Sequence, residues 1–127
     1  MLRLTPEVLL AAYAEGVFPM GEDARSARIH WCAPEWRGVI PLDRFHVSRS
    51  LARRRRRGRF RFSCDRAFAR VMAGCANRPE TWINPPIAKA FAELHALGVA
   101  HSVEVWQDDA LAGGVYGLAL GGAFCAE

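Results

Sequence analysis

Apolar residues along this chain change their spacing several times, and each change marks an element. Val8, Leu9, Ala12 and Tyr13 recur at helical intervals behind Thr5, a natural cap, and Pro6, which suits a first helical position. Glu7 favours the positive end of that helix, and Gly16 stops it. Val17-Phe18-Pro19-Met20 then reads as an apolar elbow, followed by a polar surface loop from Gly21 to Arg28. Ile29–Cys32 and Arg37–Ile40 are short extended runs flanking Pro34, and the second ends at Pro41; they predict a small hairpin or a pair of edge strands. Ser48 caps a second helix that runs through Leu51 and Ala52 into consecutive arginines and ends at Gly58. Beyond it Arg59-Phe60-Arg61-Phe62 alternates, which places the two phenylalanines on one face of a strand and the two arginines on the other.

The second half continues in the same way. Asp65 is expected to open a third helix with Phe68, Val71, Met72 and Cys75 as its stripe. Asn84 caps a fourth, begun by Pro85 and Pro86, with Ile87, Phe91, Leu94 and Leu97 inward and Gly98 as its end. From His101 onward, short apolar runs broken by Gln107-Asp108-Asp109 and Gly121-Gly122 predict three strands in a β-meander. Gly113, Gly114 and Gly117 weaken the middle strand, so they mark either a bulge, a close approach of another backbone or ligand, or a distorted hairpin. Interspersed helices and strands, without repeats or a flexible linker, indicate an α+β fold with a mostly antiparallel sheet. The domain reading is a small N-terminal lobe carrying a basic patch over residues 1–60, with residues 61–127 as a second unit.

Composition alters this picture in one respect. Of 127 residues, 51% are hydrophobic and 24% charged, as in ordinary globular chains, and the net charge is +4. That charge is concentrated, because Arg53 to Arg57 are consecutive and Arg59 and Arg61 follow. A solvated helix end explains part of the run, since cations favour the negative pole; five in a row exceed that need and suit phosphate binding. Cys32, Cys64, Cys75 and Cys125 lack a C-x-x-C spacing, so reduced, buried thiols are expected and no metal site is indicated. No apolar run is long enough to span a bilayer and no secretory leader is evident, which points to the cytoplasm.

Neither a nucleophile elbow, a P-loop nor a dinucleotide fingerprint is present. The sequence offers aromatic residues instead, and Trp82, beside a helix start, is placed to stack on a base or line a pocket. Several blocks in order, Leu9-Leu-Ala-Ala-Tyr13-Ala-Glu-Gly16-Val-Phe18-Pro19, Phe45-His46-Val-Ser48, Thr81-Trp82-Ile83, His101-Ser-Val-Glu104-Val-Trp106, Leu111-Ala-Gly113-Gly114-Val-Tyr116-Gly117 and Phe124-Cys125-Ala-Glu127, resemble the leucyl/phenylalanyl-tRNA-protein transferases.

That resemblance implies a bacterial cytoplasmic aminoacyltransferase of the N-end rule pathway of protein degradation, with an acetyltransferase-like domain. It implies transfer of Leu or Phe from aminoacyl-tRNA (Leu-tRNA or Phe-tRNA) to acceptor proteins with N-terminal Arg or Lys, by a monomer that uses no cofactor and no metal. By position, Trp82 matches the tryptophan at the tRNA's terminal adenosine, and Met20 stands where some relatives carry a second one. Tyr13, Phe91, Val115 and Phe124 fall where the family builds its apolar donor pocket, with Glu127 at the polar rim. Arg53, Arg54, Arg55, Arg56, Arg57, Arg59 and Arg61 occupy the region implied to contact tRNA phosphates. The resemblance further implies that residues 61–127 are the first half of the transferase domain, truncated, so that the family's catalytic Asp and Gln lie beyond residue 127 and the catalytic residues are not identified here.

Overall fold

The structure, a computed structural model, describes residues 3–127. Helix α1 (Pro6–Ala14) begins as its capping residue dictates, with the Val8 amide donating to Thr5 Oγ1 at 3.3 Å, and it buries Leu9 and Tyr13. The expected elbow is instead strand β1 (Phe18–Gly21), paired antiparallel with β2 (Ile29–Cys32) in a two-stranded sheet. Arg37–Ile40, offered as a partner for β2, forms no strand; its residues are exposed. The loop between β1 and β2 decides the pairing. Asp23 Oδ1 accepts from the amides of Arg25 and Ser26 at 2.7 and 2.8 Å, and Asn84 Nδ2 donates to the carbonyls of Ser26 and Arg28 at 3.0 and 3.1 Å. A turn held from within and from below brings Phe18 opposite Cys32.

After a single 3-10 turn at Leu42–Arg44 comes α2 (Arg49–Arg56), capped by Ser48. It buries none of its residues, so its arginines stand in solvent. Strand β3 (Phe60–Cys64) leads into α3 (Phe68–Ala76), which starts later than the sequence suggests. Asp65 does not cap it: Ala67 occupies the cap position, and Asp65 sits at φ 58° with its carboxylate turned to the sheet. There Oδ2 meets His101 Nδ1 at 2.8 Å and Oδ1 accepts the Ser102 amide at 3.0 Å. Two tertiary partners thus outweigh one local cap.

Helix α4 (Pro85–Ala96) is capped by Asn84, whose Oδ1 accepts from the Ile87 amide at 3.1 Å. Ile87, Ala90, Phe91 and Leu94 are buried, whereas Leu97, expected inside, is exposed because the helix has already ended there and the chain turns through Gly98 at φ 79°. The meander follows as read: β4 (Ala100–Gln107), β5 (Ala110–Leu120) and β6 (Ala123–Ala126) extend a four-stranded antiparallel sheet in the order β3-β4-β5-β6. The architecture is α+β with antiparallel sheets.

The glycines of β5 serve close packing and a bulge. The register slips between Val105, opposite Gly113, and Trp106, opposite Leu111. A Cβ on Gly114 would lie 2.9 Å from Val71 of α3, and one on Gly117 would lie 2.3 Å from the Cys125 carbonyl of β6. Helices α3 and α4 cover one face of the four-stranded sheet, with α1 behind α4. The core between them consists of Leu9, Phe68, Val71, Ile87, Phe91, Leu94, Tyr116, Leu118 and their neighbours. The four cysteines are free thiols; contrary to the expectation of buried groups, three are half-buried and Cys64 is exposed on the edge strand.

Candidate functional site

Tyr13 on α1, Phe91 on α4 and Glu127 after β6 come together although the chain separates them widely. The Tyr13 and Phe91 rings meet edge to face with centroids 6.4 Å apart, and the Tyr13 hydroxyl donates to Glu127 Oε1. Phe91 meets Tyr116 of β5 in the same manner at 5.5 Å, and Tyr116 meets Phe68 at 5.7 Å. The Glu127 amide donates to the Tyr116 carbonyl at 2.9 Å, which binds the end of β6 to the aromatic cluster.

Burial pushes the Glu127 carboxyl above its ordinary pKa, while the Tyr13 hydrogen bond and the positive charge of Arg37 act against that rise. The Tyr13 hydroxyl is driven far above its own ordinary value, first by burial and then by the adjacent carboxylate. Tyr116 is driven up for the same two reasons in the same order, and its buried hydroxyl has no hydrogen-bond partner among the described residues. Arg37 reaches this region from the loop after β2: its guanidinium carbon stands 5.1 Å over the Phe18 ring, and Nη1 donates to the Gly16 carbonyl at 3.3 Å. Tyr116 and Arg37 did not figure among the candidates from sequence. Tyr116 could have been suspected from its hydroxyl in an otherwise apolar strand; Arg37 carries no local signal.

The end of β1, one residue past Met20, is held to Trp82 through the backbone. The Gly21 amide donates to the Trp82 carbonyl at 2.8 Å, and a Cβ at Gly21 would collide with that carbonyl at 2.5 Å. Glycine is therefore what lets β1 lie against the start of α4. Trp82 itself is half-buried against the core.

Val115 and Phe124 lie elsewhere. Tyr116 and Leu118 point to the helices, so by strand alternation Val115 and Gly117 point to the opposite face. Phe124 shares that face, since its ring end would be 2.8 Å from a Cβ on Gly117. The same face carries Phe62 and Val103, both exposed, and no helix covers it among the described residues. The sheet therefore separates Val115 and Phe124 from Tyr13, Phe91 and Glu127.

Arg53 to Arg57, Arg59 and Arg61 are all exposed. Arg61 alone of the seven is paired with a carboxylate among the described residues, Asp109 at 4.0 Å, and it also donates to the Asp108 carbonyl at 2.8 Å. Arg54, Arg57 and Arg59 gather around Phe60 and Gln107 at the end of the β3–β4 pair. No group of three or more His, Cys, Asp or Glu side chains suited to a metal ion occurs among the described residues.

A four-stranded antiparallel sheet, helices packed on one face and an aromatic cluster closed by one carboxylate agree with part of an acetyltransferase-like transferase domain. The sequence comparisons make this specific. The profile of the family described as leucyl/phenylalanyl-tRNA protein transferase matches residues 39–127, and that of the family's N-terminal domain matches residues 3–35. The chain belongs to this aminoacyltransferase family. Curated relatives named leucyl/phenylalanyl-tRNA–protein transferase include one from Cereibacter sphaeroides strain ATCC 17029, 56% identical over 124 residues that cover 98% of this chain and 58% of the relative. Another, from Ruegeria pomeroyi, is 55% identical over 126 residues, covering 99% and 60%. A third, from Salinibacter ruber, is 52% identical over 124 residues, covering 98% and 54%. The chain thus spans little more than half the length of these relatives. No helix of the described residues is long and apolar enough to cross a membrane.

Proposed function

We propose that this chain serves in the transfer of Leu or Phe from aminoacyl-tRNA to the N-terminal Arg or Lys of acceptor proteins, which marks them for degradation by the N-end rule in the bacterial cytoplasm. The observation that carries the proposal is the meeting of Tyr13, Phe91 and Glu127 in one aromatic cluster of a chain with these relatives. In this reading the cluster backs the apolar surface that receives the donor's side chain. Such a surface separates side chains by about 1–3 kcal/mol per methylene, enough to prefer large apolar groups without finely dividing Leu from Phe.

Glu127 lies at the polar rim, where a carboxylate faces the donor's amino group. Met20 and Trp82 face the terminal adenosine, the first as a soft thioether contact and the second as a stacking surface. Val115 and Phe124 serve from across the sheet, by fixing the strands that end at Glu127. The arginines of α2, with Arg59 and Arg61, hold the acceptor stem by phosphate contacts, which position RNA without reading its sequence. The reaction is aminolysis of an ester: the acceptor's α-amine attacks the aminoacyl carbonyl, and the ribose oxygen leaves with a proton.

The test compares the affinity of this chain for Leu-tRNA and for the same tRNA uncharged. The expected result is tighter binding of the charged form, lost in Tyr13→Ala and Trp82→Ala. Equal affinity for both forms would sink the donor-pocket reading and leave an acceptor-stem-binding module. A parallel assay measures transfer of labelled Leu to a peptide with N-terminal Arg.

A further inference from the structure

A wide cleft lies away from the aromatic cluster. It runs along β3, the edge strand, with a volume of about 780 Å³, and Trp106 of β4 borders it with Arg61, Arg66 and Asp109. Trp106 stands opposite Arg61 in the β3–β4 register. Its indole Nε1–H donates to Ser63 Oγ at 2.8 Å, and Ser63 in turn donates to Glu104 Oε1 at 2.7 Å, so the ring is held by a chain of bonds anchored on a buried carboxylate. Arg70 of α3 brings its guanidinium carbon to 5.3 Å from the indole centroid. Hence the indole is a half-buried, oriented ring with arginines on β3 and α3 around it.

The charge around the ring is unbalanced. Arg66 and Arg70 pair with no carboxylate among the described residues, and Asp109 meets Arg61 only at 4.0 Å in full solvent, where screening leaves little attraction. The cleft also adjoins the basic helix: Phe60 and Gln107, enclosed by Arg54, Arg57 and Arg59, are the immediate chain neighbours of Arg61 and Trp106. A line of cations therefore runs from α2 along the β3 edge to α3, with the Trp106 indole set in it.

We infer that Trp106 is a stacking platform for an unpaired base of bound RNA, whose flanking phosphates lie on Arg61 and Arg66. The inference rests on the tRNA-binding reading and adds a second contact to it. Guanidiniums match phosphate through their fork of N–H donors, and any base presents a π-face to an indole, so the site takes single-stranded RNA without sequence preference. An A-form duplex keeps its bases stacked inside and offers this ring none.

The experiment measures binding of this chain to a labelled single-stranded RNA oligonucleotide and to an RNA hairpin of acceptor-stem length. Trp106→Leu is expected to weaken single-strand binding roughly 5- to 150-fold, the loss typical of one stacked base, and to leave hairpin binding unchanged, which also reports that the variant is folded. Trp106→Phe retains a ring and should keep most of the affinity. Arg66→Ala should reduce the dependence of single-strand binding on salt by a logarithmic slope of about 0.7. Unaltered single-strand binding by Trp106→Leu, with α2 arginine replacements still abolishing hairpin binding, overturns this inference and leaves the tRNA reading standing. Absence of binding to both RNAs overturns both readings, whereas an acidic peptide that occupies the cleft in preference to RNA overturns this inference alone.

Discussion

The hydroxyl of Tyr13 donates to the carboxylate of Glu127, joining the first helix to the end of the last strand across 114 positions of sequence. Tyr13 is buried and Glu127 half-buried beside the aromatic cluster. Tyr13→Phe keeps the ring contact with Phe91 and removes only the donor, leaving a half-buried carboxylate without its hydrogen bond. The expected cost is about 1–3 kcal/mol, read as a lower urea midpoint with unchanged slope. The variant should also raise the Glu127 pKa further, since the hydrogen bond is one of the effects that hold it down. A protonation-sensitive spectroscopic signal from Glu127 that does not move would count against the bond.

Glu104 gives the acid dependence. Its burial favours the protonated form, but hydrogen bonds from Ser102, Ser63 and the amides of Arg66 and Ala67 outweigh that and depress its pKa. A depressed carboxyl contributes stability that is present above the unfolded value, about 4.3, and is lost as pH falls through the folded value. Glu104→Gln should cost about 1.5–3 kcal/mol at neutral pH, the range for bonds to a charged acceptor. It should also flatten the loss of stability in acid. Parallel urea titrations at neutral and acid pH decide this, and an acid limb as steep as in the unmodified chain would refute it.

Gly117 tests the close approach of β5 and β6. Alanine there would place its Cβ 2.3 Å from the Cys125 carbonyl and 3.0 Å from the Ala126 Cα, both backbone atoms that cannot swing aside. The expected cost is about 1–3 kcal/mol, as for other overpacked sites, with selective loss of hydrogen-exchange protection in β6. Gly113→Ala, where the nearest atom is 4.0 Å away, is the control and should leave β6 protected.

Leu94 and Leu97 separate what helical spacing suggests from what packing uses. Leu94→Ala should cost about 2–5 kcal/mol, as a core truncation does. Leu97→Ala should fall within about 0.5 kcal/mol of the unmodified chain, because the side chain is already in water. Similar losses of thermal stability in the two variants would contradict the placement of Leu97.

Residues that act through their nearest neighbours were legible in the chain by itself. Thr5, Ser48 and Asn84 cap helices because their side chains reach amides three positions on, and Gly98 and Gly121 turn the chain at positive φ. The meander with its close approaches in β5, the antiparallel α+β class and the family resemblance were equally readable, since each depends on a local run or an ordered set of blocks. Tertiary structure decided the rest. Phe18–Gly21 became a strand because Asn84, distant in sequence, holds the loop that returns the chain, and Asp65 left its helix for His101 and Ser102. It also decided which candidates share a site, gathering Tyr13, Phe91 and Glu127 on the helix side while alternation along β5 and β6 sent Val115 and Phe124 to the other face. The physical reason is one of range: caps and turns are satisfied within a few residues, whereas partners on separate elements are chosen only when the sheet and helices pack.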